Sequence, residues 1–556
     1  MKKYLLFLFS IFVIVAYAQT DIINTRIIQP TTTAGNFSDS YMHHLNSAKD
    51  EMFLTTVSKG VSEYFGNSNG VEDRRYISRL DANGFPKWNA IAYNVVGLDI
   101  FNTKTDFACV DKDDNFYIIC QSNGNEAFFT DAMGTTINFD FNLKILIKIS
   151  KDGKFLWSKN FRSTKHGVIC DNAGNVYLYG NEVTFTNQSV PSMSIIKLNG
   201  QNGNEIYNRN NFNVKSNYIV PVFDSSDNLY VFTTADVSTD ITVFTMGSQS
   251  IRLNKDGLNH LFLKFDTSGN PISGKNYYPE FPEYASSYSY PTDAKFDGND
   301  IIVNAGMITR SLNYFYIGMS GNKIVNKYNR GFCGIISKID LNGNVKWERD
   351  IQSSQDLSLG IQTNIELDEQ NSIYSYNLFK EKVNFNNVEY TIGNWPEYKV
   401  IMKIDNDGNM KYLKPVDNTG SYYYYPSKTY TNSIDVSGVD KISCMGSTSN
   451  NKFLTFPIQN SASPKLYIAT FVGENLSTID KGLSNLEIYP NPTSDILNIQ
   501  TEQKISKIEI LDTSGKLLKS NSGSGKTINV SNLSKGIYLI KIYADKNIIN
   551  SKFIKN

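Results

Sequence analysis

Two short motifs alternate along most of the chain, and this alternation is the feature that most restricts its fold. In the first motif, an apolar segment leads into an Asp-centred turn and then into an aromatic segment. Asp and Asn side chains bond to their own backbone in turns, and β-branched and aromatic flanks favour strands, so each copy predicts a β-hairpin. Clear copies span residues 109–117, 169–177 and 223–230; weaker copies begin at 296, 367 and 436, and a degenerate copy covers 45–57.

The second motif places a Lys in an apolar segment, followed by a Gly turn and an aromatic residue. Residues 147–157 and 337–347 are clear copies. The Gly supplies the positive φ that such a turn needs. Further copies centre on Gly84, Gly203, Gly269 and Gly408, with a worn copy at 466–473. The two motifs together predict seven units of about 65 residues.

Two hairpins in each unit make four antiparallel strands, which is the content of a propeller blade. One blade cannot bury both of its faces, so blades must stack, and a closed ring leaves no face open. The sequence therefore predicts an all-β chain with a seven-bladed β-propeller at residues 35–475. Six or eight blades, or two smaller sheets, are the alternatives. The repeats resemble those of secreted bacterial propellers with a Gly-Asn-x-Tyr hairpin.

The last unit lacks a full fourth strand. Within the N-terminal segment 19–34, residues 21–29 have the length and the isoleucine content of a strand. We expect this segment to complete the last blade and close the ring.

The first residues have the pattern of a signal peptide at 1–18. Lys2 and Lys3 precede an apolar run at 4–15, and Ala16 and Ala18 form a small-x-small cleavage site. The run is too short to span a bilayer comfortably, and no second apolar stretch of spanning length follows. We expect no transmembrane span once the signal is removed.

Composition excludes several classes of function. Lys plus Arg and Asp plus Glu both number 54, so the net charge is zero and predicts no nucleic-acid partner. The five cysteines show no C-x-x-C spacing, and at least one must be unpaired. The four histidines are scattered, and the Asp-rich turns do not follow the EF-hand order. We therefore expect no metal and no cofactor, and we name no catalytic residue.

The connectors between hairpins are the candidate ligand face. In a four-stranded blade both tight turns lie on one edge and the connectors on the other, and variable loops on a rigid scaffold carry most ligand contacts. Tyrosine offers a flat apolar ring and a hydroxyl, which suit a carbohydrate or a peptide. The alternative is that these rings pack together and shield the blade ends. The candidates are Tyr277, Tyr278, Tyr284, Tyr422, Tyr423 and Tyr424.

The composition changes after Gly473, where a polar linker at 476–485 precedes a compact unit at 486–556. Its alternating apolar positions predict a small Ig-like β-sandwich. Three motifs follow in order, and their residues are Tyr489, Pro490, Asn491 and Pro492; Gly515 and Lys516; and Gly536, Tyr538 and Lys541. At the extreme C-terminus they resemble the type A C-terminal sorting domain of the type IX secretion system of Bacteroidetes. A plain Ig-like adhesion module is the alternative.

This resemblance implies export across the outer membrane by the type IX machinery, and so a secreted or surface-attached protein. The preferred function is binding of an extracellular glycan or protein. The alternative is a secreted hydrolase or lyase acting on polysaccharide or peptide, with its site in the central channel. A passive surface-layer scaffold is the third hypothesis. Converging carboxylates would favour the enzyme, and an aromatic shelf would favour binding.

Overall fold

The computed structural model of the chain describes the following residues: 22–28, 36–44, 51–59, 73–93, 95–96, 108–122, 127–139, 143–163, 165–185, 193–210, 212, 215–236, 243–246, 248–253, 259–277, 290–309, 315–321, 323–325, 327–328, 331–353, 364–379, 382–391, 398–418, 433–438, 441–448, 452–453, 456–457, 465–472, 487–500, 505–512, 517–523, 525–544 and 547–556. Every regular element in these ranges is a β-strand, which confirms the all-β prediction. No helix suited to crossing a membrane occurs in this part of the chain. Contacts divide the chain into two compact units, Met1–Glu474 and Asn475–Asn556.

The first unit begins with β1 (Ile22–Ile28) and continues through seven successive antiparallel sheets in the described residues, which we number 1 to 7. Sheet 1 contains β2 (Asn36–His44), β3 (Met52–Lys59), β4 (Asp73–Leu80) and β5 (Pro86–Tyr93). Sheet 2 contains β6 (Val95–Val96), β7 (Ala108–Val110), β8 (Phe116–Ser122), β11 (Lys144–Ile149) and β12 (Phe155–Phe161), and the hairpin inserted in its sequence, β9 (Phe128–Thr130) and β10 (Thr136–Asn138), extends sheet 1. Sheet 3 contains β13 (Lys165–Cys170), β14 (Val176–Asn181), β15 (Met193–Leu198) and β16 (Glu205–Arg209).

Sheets 4 to 7 follow the same plan, and a further hairpin is inserted in the sequence of each. Sheet 4 contains β17 (Lys215–Phe223), β18 (Leu229–Asp236), β21 (Asn259–Phe265) and β22 (Pro271–Asn276), and the inserted β19 (Val243–Met246) and β20 (Gln249–Arg252) form a separate two-stranded sheet. Sheet 5 contains β23 (Tyr290–Phe296), β24 (Ile301–Thr309), β27 (Gly331–Ile339) and β28 (Val345–Ser353), and the inserted β25 (Phe315–Ile317) and β26 (Lys323–Val325) form a second two-stranded sheet. Sheet 6 contains β29 (Ile365–Leu367), β30 (Ile373–Phe379), β33 (Tyr398–Ile404) and β34 (Met410–Asn418), and its inserted hairpin, β31 (Lys382–Phe385) and β32 (Val388–Thr391), extends sheet 5. Sheet 7 contains β35 (Ser433–Ser437), β36 (Lys441–Thr448) and β39 (Lys465–Val472), and the inserted β37 (Lys452–Phe453) and β38 (Phe456–Pro457) form a third two-stranded sheet.

The N-terminal strand β1 is the outer strand of sheet 7. It runs antiparallel to β39, with Ile28 opposite Leu466 and Ile22 opposite Phe471. Sheet 7 therefore has the order β35-β36-β39-β1, and its fourth strand comes from the other end of the unit.

Neighbouring sheets touch chiefly through their first strands. β7 contacts β13, β17 contacts β14 and β23, and β29 contacts β23 and β35. β2 of sheet 1 contacts β35 of sheet 7, and β4 contacts β6 of sheet 2. The contacts thus form a closed cycle through all seven sheets. Middle strands such as β14 and β15 are buried along their whole length, because a sheet lies against each of their faces.

The second unit contains two sheets around one core. Its strands are β40 (Glu487–Tyr489), β41 (Ile496–Gln500), β42 (Ile505–Leu511), β43 (Leu517–Ser522), β44 (Thr527–Asn529), β45 (Gly536–Ala544) and β46 (Asn547–Lys555). The orders are β40-β41-β44 and β43-β42-β45-β46. Leu497 and Ile528 of the first sheet share the core with Ile510, Ile540 and Phe553 of the second.

Candidate functional site

The Asp-centred turns are held by side-chain bonds that tie three strands together. In sheet 6, Oδ1 of Asp368 accepts hydrogen bonds from the backbone N–H groups of Gln370 (2.9 Å) and Ser372 (2.8 Å). Oδ2 accepts from the Tyr374 hydroxyl at 2.9 Å and lies 3.4 Å from Nζ of Lys403 on the third strand. The ammonium also sits 5.0 Å from the centre of the Tyr374 ring.

The same arrangement recurs in other sheets, so it belongs to the repeat. The Asp–Lys pairs are Asp111–Lys148, Asp171–Lys197 and Asp297–Lys338, at 3.2, 3.0 and 2.7 Å. In sheet 4 the Tyr230 hydroxyl donates to Asp224 at 3.0 Å. Burial acts to raise the pKa of Asp224, but hydrogen bonds from Asn228, Ser226 and Tyr230 outweigh it and hold the pKa below its usual value.

The Gly turns are held by the preceding sheet. The six predicted turn glycines all have positive φ, between 70° and 84°. Trp157 Nε1–H donates to the Gly200 carbonyl at 3.1 Å, and its ring packs over Gly203. Two residues further on, Lys159 Nζ donates to the Gly203 carbonyl at 3.0 Å. Arg349 Nε likewise donates to the Gly408 carbonyl at 2.8 Å. The Gly turns therefore join neighbouring sheets.

A different cluster lies on the first strands, which contact one another around the cycle. We call it the first-strand cluster, and it consists of His43, Asp293, Lys295, Glu366 and Asp435. Four neighbouring strands supply these residues: β2, β23, β29 and β35. In sheets 5, 6 and 7, a cluster residue (Lys295, Glu366 and Asp435, respectively) lies two positions before the turn residue (Asp297, Asp368 and Ser437).

The cluster is held by short polar contacts between side chains of different sheets. Lys295 Nζ lies 2.7 Å from Oε1 of Glu366 and 4.0 Å from Oδ2 of Asp293. His43 Nδ1 lies 3.3 Å from Oδ2 of Asp435, which joins sheet 1 to sheet 7. The Ile365 N–H donates to Asp293 Oδ2 at 2.9 Å, so the backbones of sheets 5 and 6 are tied as well.

Burial changes the ionisation of the cluster. It is the main influence on Glu366 and raises the pKa; Lys295 opposes the rise while Asp435 and Asp293 add to it, giving a pKa of about 8. Burial also raises the pKa of Asp293, against the effect of Lys295. Burial therefore favours the protonated form of Glu366. The side chains of Lys295 (26% exposed) and His43 (29% exposed) remain reachable.

These groups offer hydrogen-bond donors and acceptors side by side with little net charge. A protonated carboxyl and an ammonium donate, and carboxylate oxygens accept. Among the described residues, no group of three His, Cys, Asp or Glu side chains is placed to hold a metal ion. The arrangement suits a neutral polar ligand, or proton transfer by Glu366.

Sequence analysis missed this cluster, although the repeat contains the signal. In the copies of the first motif, the position two residues before the turn holds Cys109, Ile169 and Val222 in sheets 2 to 4. In sheets 5 to 7 the same position holds Lys295, Glu366 and Asp435. This position of the repeat is apolar in sheets 2 to 4. Charged residues at the same position in sheets 5 to 7 therefore depart from the structural repeat.

Of the six tyrosines predicted to form the ligand face, Tyr277 alone lies within the described residues. Tyr277 is buried (8% exposed), and its hydroxyl donates to the Gly343 carbonyl of sheet 5 at 3.1 Å. This ring therefore joins sheets 4 and 5 instead of standing free for a ligand. The other candidates, Tyr278, Tyr284, Tyr422, Tyr423 and Tyr424, lie outside the described residues, as do Ala16 and Ala18 of the predicted signal cleavage site.

The C-terminal motif residues have identifiable structural places. Asn491 Oδ1 accepts from the Ile554 N–H at 2.9 Å, in the segment whose bonds Tyr489-Pro490 and Asn491-Pro492 are cis. Tyr538 stacks on Phe553, and its hydroxyl donates to the Ser534 carbonyl at 2.8 Å. Gly536 and Lys541 begin and continue β45, whereas Gly515 and Lys516 lie outside the described residues.

Comparison with solved structures finds extended but weak likenesses. PorZ, an essential surface component of the type-IX secretion system of Porphyromonas gingivalis, is 10% identical over 96% of this chain and 100% of its own, with a TM-score of 0.16. An exo-β-1,3-galactanase from Phanerochaete chrysosporium is 9% identical over 97% and 94%, with a TM-score of 0.26. A quinohemoprotein alcohol dehydrogenase from Comamonas testosteroni is 10% identical over 86% and 81%, with a TM-score of 0.31. Scores this low carry no inference about fold or activity.

The C-terminal unit gives a definite match. Curated proteins show no match to the chain. Residues 487–556, however, match the family model described as "Secretion system C-terminal sorting domain". The motifs that predicted this domain lie within the matched range. Residues 487–556 are therefore a type IX secretion C-terminal sorting domain, and the protein is exported by that system to the cell surface or the extracellular space.

Proposed function

We propose that the first unit is a seven-bladed β-propeller. Two observations support this: seven antiparallel sheets of one plan follow each other in the described residues, and their first strands contact in a closed cycle. In this arrangement β1 closes the ring by completing sheet 7, and the first strands line a central channel.

We further propose that this exported propeller is a binding protein whose ligand is a glycan or a similar neutral polyhydroxylated molecule. The observation that carries the proposal is the first-strand cluster, in which Lys295, Glu366 and Asp435 from three sheets replace the apolar residues of the repeat. Mixed donors and acceptors of low net charge match sugar hydroxyl groups, which both donate and accept. The proposed site then lies in the channel.

The test is binding of purified full-length protein to a glycan array, followed by calorimetry on the best ligand. Lys295→Met and Glu366→Gln should each weaken binding at least tenfold, which is about 1.4 kcal/mol. Lys411→Met is the matched control, because it removes an ion pair with Asp405 (2.7 Å) on the tight-turn edge. Unchanged affinity in both cluster variants would contradict the proposal.

A secreted glycoside hydrolase is the second candidate, and one observation favours it. Glu366, with a pKa of about 8, keeps the proton that a general acid needs at neutral pH. Turnover of an array ligand that Glu366→Gln abolishes, while binding persists, would establish the hydrolase and set aside pure binding. Binding without turnover by the wild type supports the first proposal.

A further inference from the structure

The sorting domain carries several exposed large apolar side chains. Among the described residues, thirteen such side chains are exposed, and six of them lie within 487–556. Soluble domains rarely leave contiguous apolar patches uncovered unless something binds there.

Four of these side chains, Leu517, Leu518, Leu539 and Ile554, are on the sheet β43-β42-β45-β46. Leu511 of β42, which is itself buried, lies opposite Leu517 of β43 and opposite Leu539 of β45, so the three form a row across the sheet. Directly opposed residues share one face of a sheet. Leu517 is 50% exposed and Leu539 is 40% exposed, whereas the alternate residue Ile540 is fully buried in the core. The row therefore lies on the outer face.

The row continues onto the last strand and is bordered by charge. Ile554 of β46, 44% exposed, lies opposite position 537, two residues before Leu539 along β45. On the other side, Lys541 lies two residues beyond Leu539 and opposite Glu509. Lys541 belongs to the third motif of the domain, and residues 487–556 carry ten Lys against six Asp and Glu. On this border Glu509 is also paired with Lys507, so two lysines face one carboxylate and the border carries a net positive charge.

Other motif residues already have internal roles. Tyr538 fills the core, and Asn491 binds the backbone of the final strand. These residues shape the domain and hold β46 in place, but they are not free for recognition. Lys541 and the leucine row lie on the outer face of this sheet.

We propose that the outer face on which Leu517, Leu539 and Ile554 are exposed, with Lys541 at its border, is the surface that the type IX export machinery binds. The partner is a machinery component that presents an apolar surface edged by carboxylates. Apolar burial supplies the affinity, and the pairing of Lys541 with a carboxylate supplies orientation.

The experiment measures export of the full chain in cells with a working type IX system, as the ratio of protein in medium and surface to protein in the periplasm. Leu517→Asp combined with Leu539→Asp should lower this ratio at least tenfold, and Lys541→Glu should lower it severalfold. The matched controls are Ile496→Asp, an exposed apolar residue (50%) on the other sheet of the same domain, and Lys535→Glu, an exposed lysine. Both controls should be exported at the wild-type ratio.

Folding is monitored by the melting temperature of each purified full-length variant, which should stay within a few degrees of wild type. Export of the double leucine variant at the wild-type ratio would overturn the proposal. Equal export failure of a folded Ile496→Asp variant would also overturn it, because the effect would then not belong to this face. Lys541→Glu adds no charge to the apolar row. Its export ratio therefore tests the proposal even if the double leucine variant does not fold.

Discussion

The turn glycines show how one residue position serves both the local turn and the packing between sheets. Gly153 has a φ of 84°, and a Cβ built there would lie 2.8 Å from the Trp88 ring and 2.6 Å from Ala132. Gly298 has a similar φ of 95° but nothing within 4 Å of a built Cβ. Position 153 therefore requires glycine because of its positive φ and because a side chain would clash there, whereas position 298 requires it because of its positive φ alone.

We predict that Gly153→Ala lowers stability by about 2 to 4 kcal/mol and Gly298→Ala by about 1 kcal/mol, since only the first adds a clash to the strain of positive φ. Urea unfolding of both purified variants measures the difference. Equal losses would mean that the contact with Trp88 does not constrain this turn.

The largely buried carboxyl of Glu366 predicts a pH dependence of stability. The folded state keeps the proton up to a pKa of about 8, whereas the unfolded chain releases it near its ordinary value of 4.5. Between these values the folded state binds more protons, so stability falls as pH rises from about 4.5 to about 8. Glu366→Gln has no proton to lose at this site, and its profile should be flatter.

The expected difference is about 1 to 3 kcal/mol between pH 5 and pH 8.5, obtained from urea unfolding of both proteins at each pH. Glu389→Gln is the control, because Glu389 is an exposed residue paired with Lys382 on a surface hairpin. Parallel pH profiles for wild type and Glu366→Gln would show that Glu366 is ionised in the folded protein.

At the scale of elements, β1 is joined to the unit through its ladder with β39. Tyr467 and Phe471 of β39 are fully buried. Removing β1 would uncover this strand and leave its backbone groups without partners. We predict that deletion of residues 21–30 lowers the melting temperature sharply, as measured by calorimetry, and that an added peptide of the same sequence partly restores it. An unchanged melting temperature would refute the ring-closing role.

A disulfide between Cys109 and Cys170 joins the first strands of sheets 2 and 3. It spans 61 residues of sequence, and loops of this length give about 3 to 4 kcal/mol of stabilisation. Cys109→Ser with Cys170→Ser should lower the melting temperature, and a reducing agent should lower the wild type to the same value. A reductant effect that persists in the double variant would point to another cause.

The sequence predicted the hairpins correctly because a turn depends on residues close together in the chain. It did not predict which sheet each inserted hairpin pairs with. β9 and β10 lie between strands of sheet 2 in sequence, yet β9 pairs with β5 of sheet 1, with Ile91 opposite Thr130. Likewise β31 pairs with β28 of sheet 5. In these two cases the insertion pairs with the edge of the preceding sheet, whereas β19-β20, β25-β26 and β37-β38 each form a separate two-stranded sheet. No short-range signal specifies which of the two occurs.

At the scale of the whole molecule, the two compact units predict a separation of tasks. Deletion of residues 487–556 should leave the protein in the periplasm with its main melting transition unchanged, because the first unit has its own cores and the deletion removes none of its strands. Cell fractionation and calorimetry measure the two results. Export of the truncated chain at the wild-type level would show that another part of the chain carries the signal.

The sequence by itself determined the repeat, the turns and the sorting domain, because each is written in residues close together in the chain. Asp or Gly at a turn, and three ordered motifs at the C-terminus, need no knowledge of distant contacts. Only the tertiary structure decided where ligand chemistry gathers: His43 and Asp435 are almost four hundred residues apart in the sequence, yet their side chains are 3.3 Å apart. The tertiary structure also decided that Tyr277 links two sheets, because the burial of its side chain depends on which sheet packs beside it.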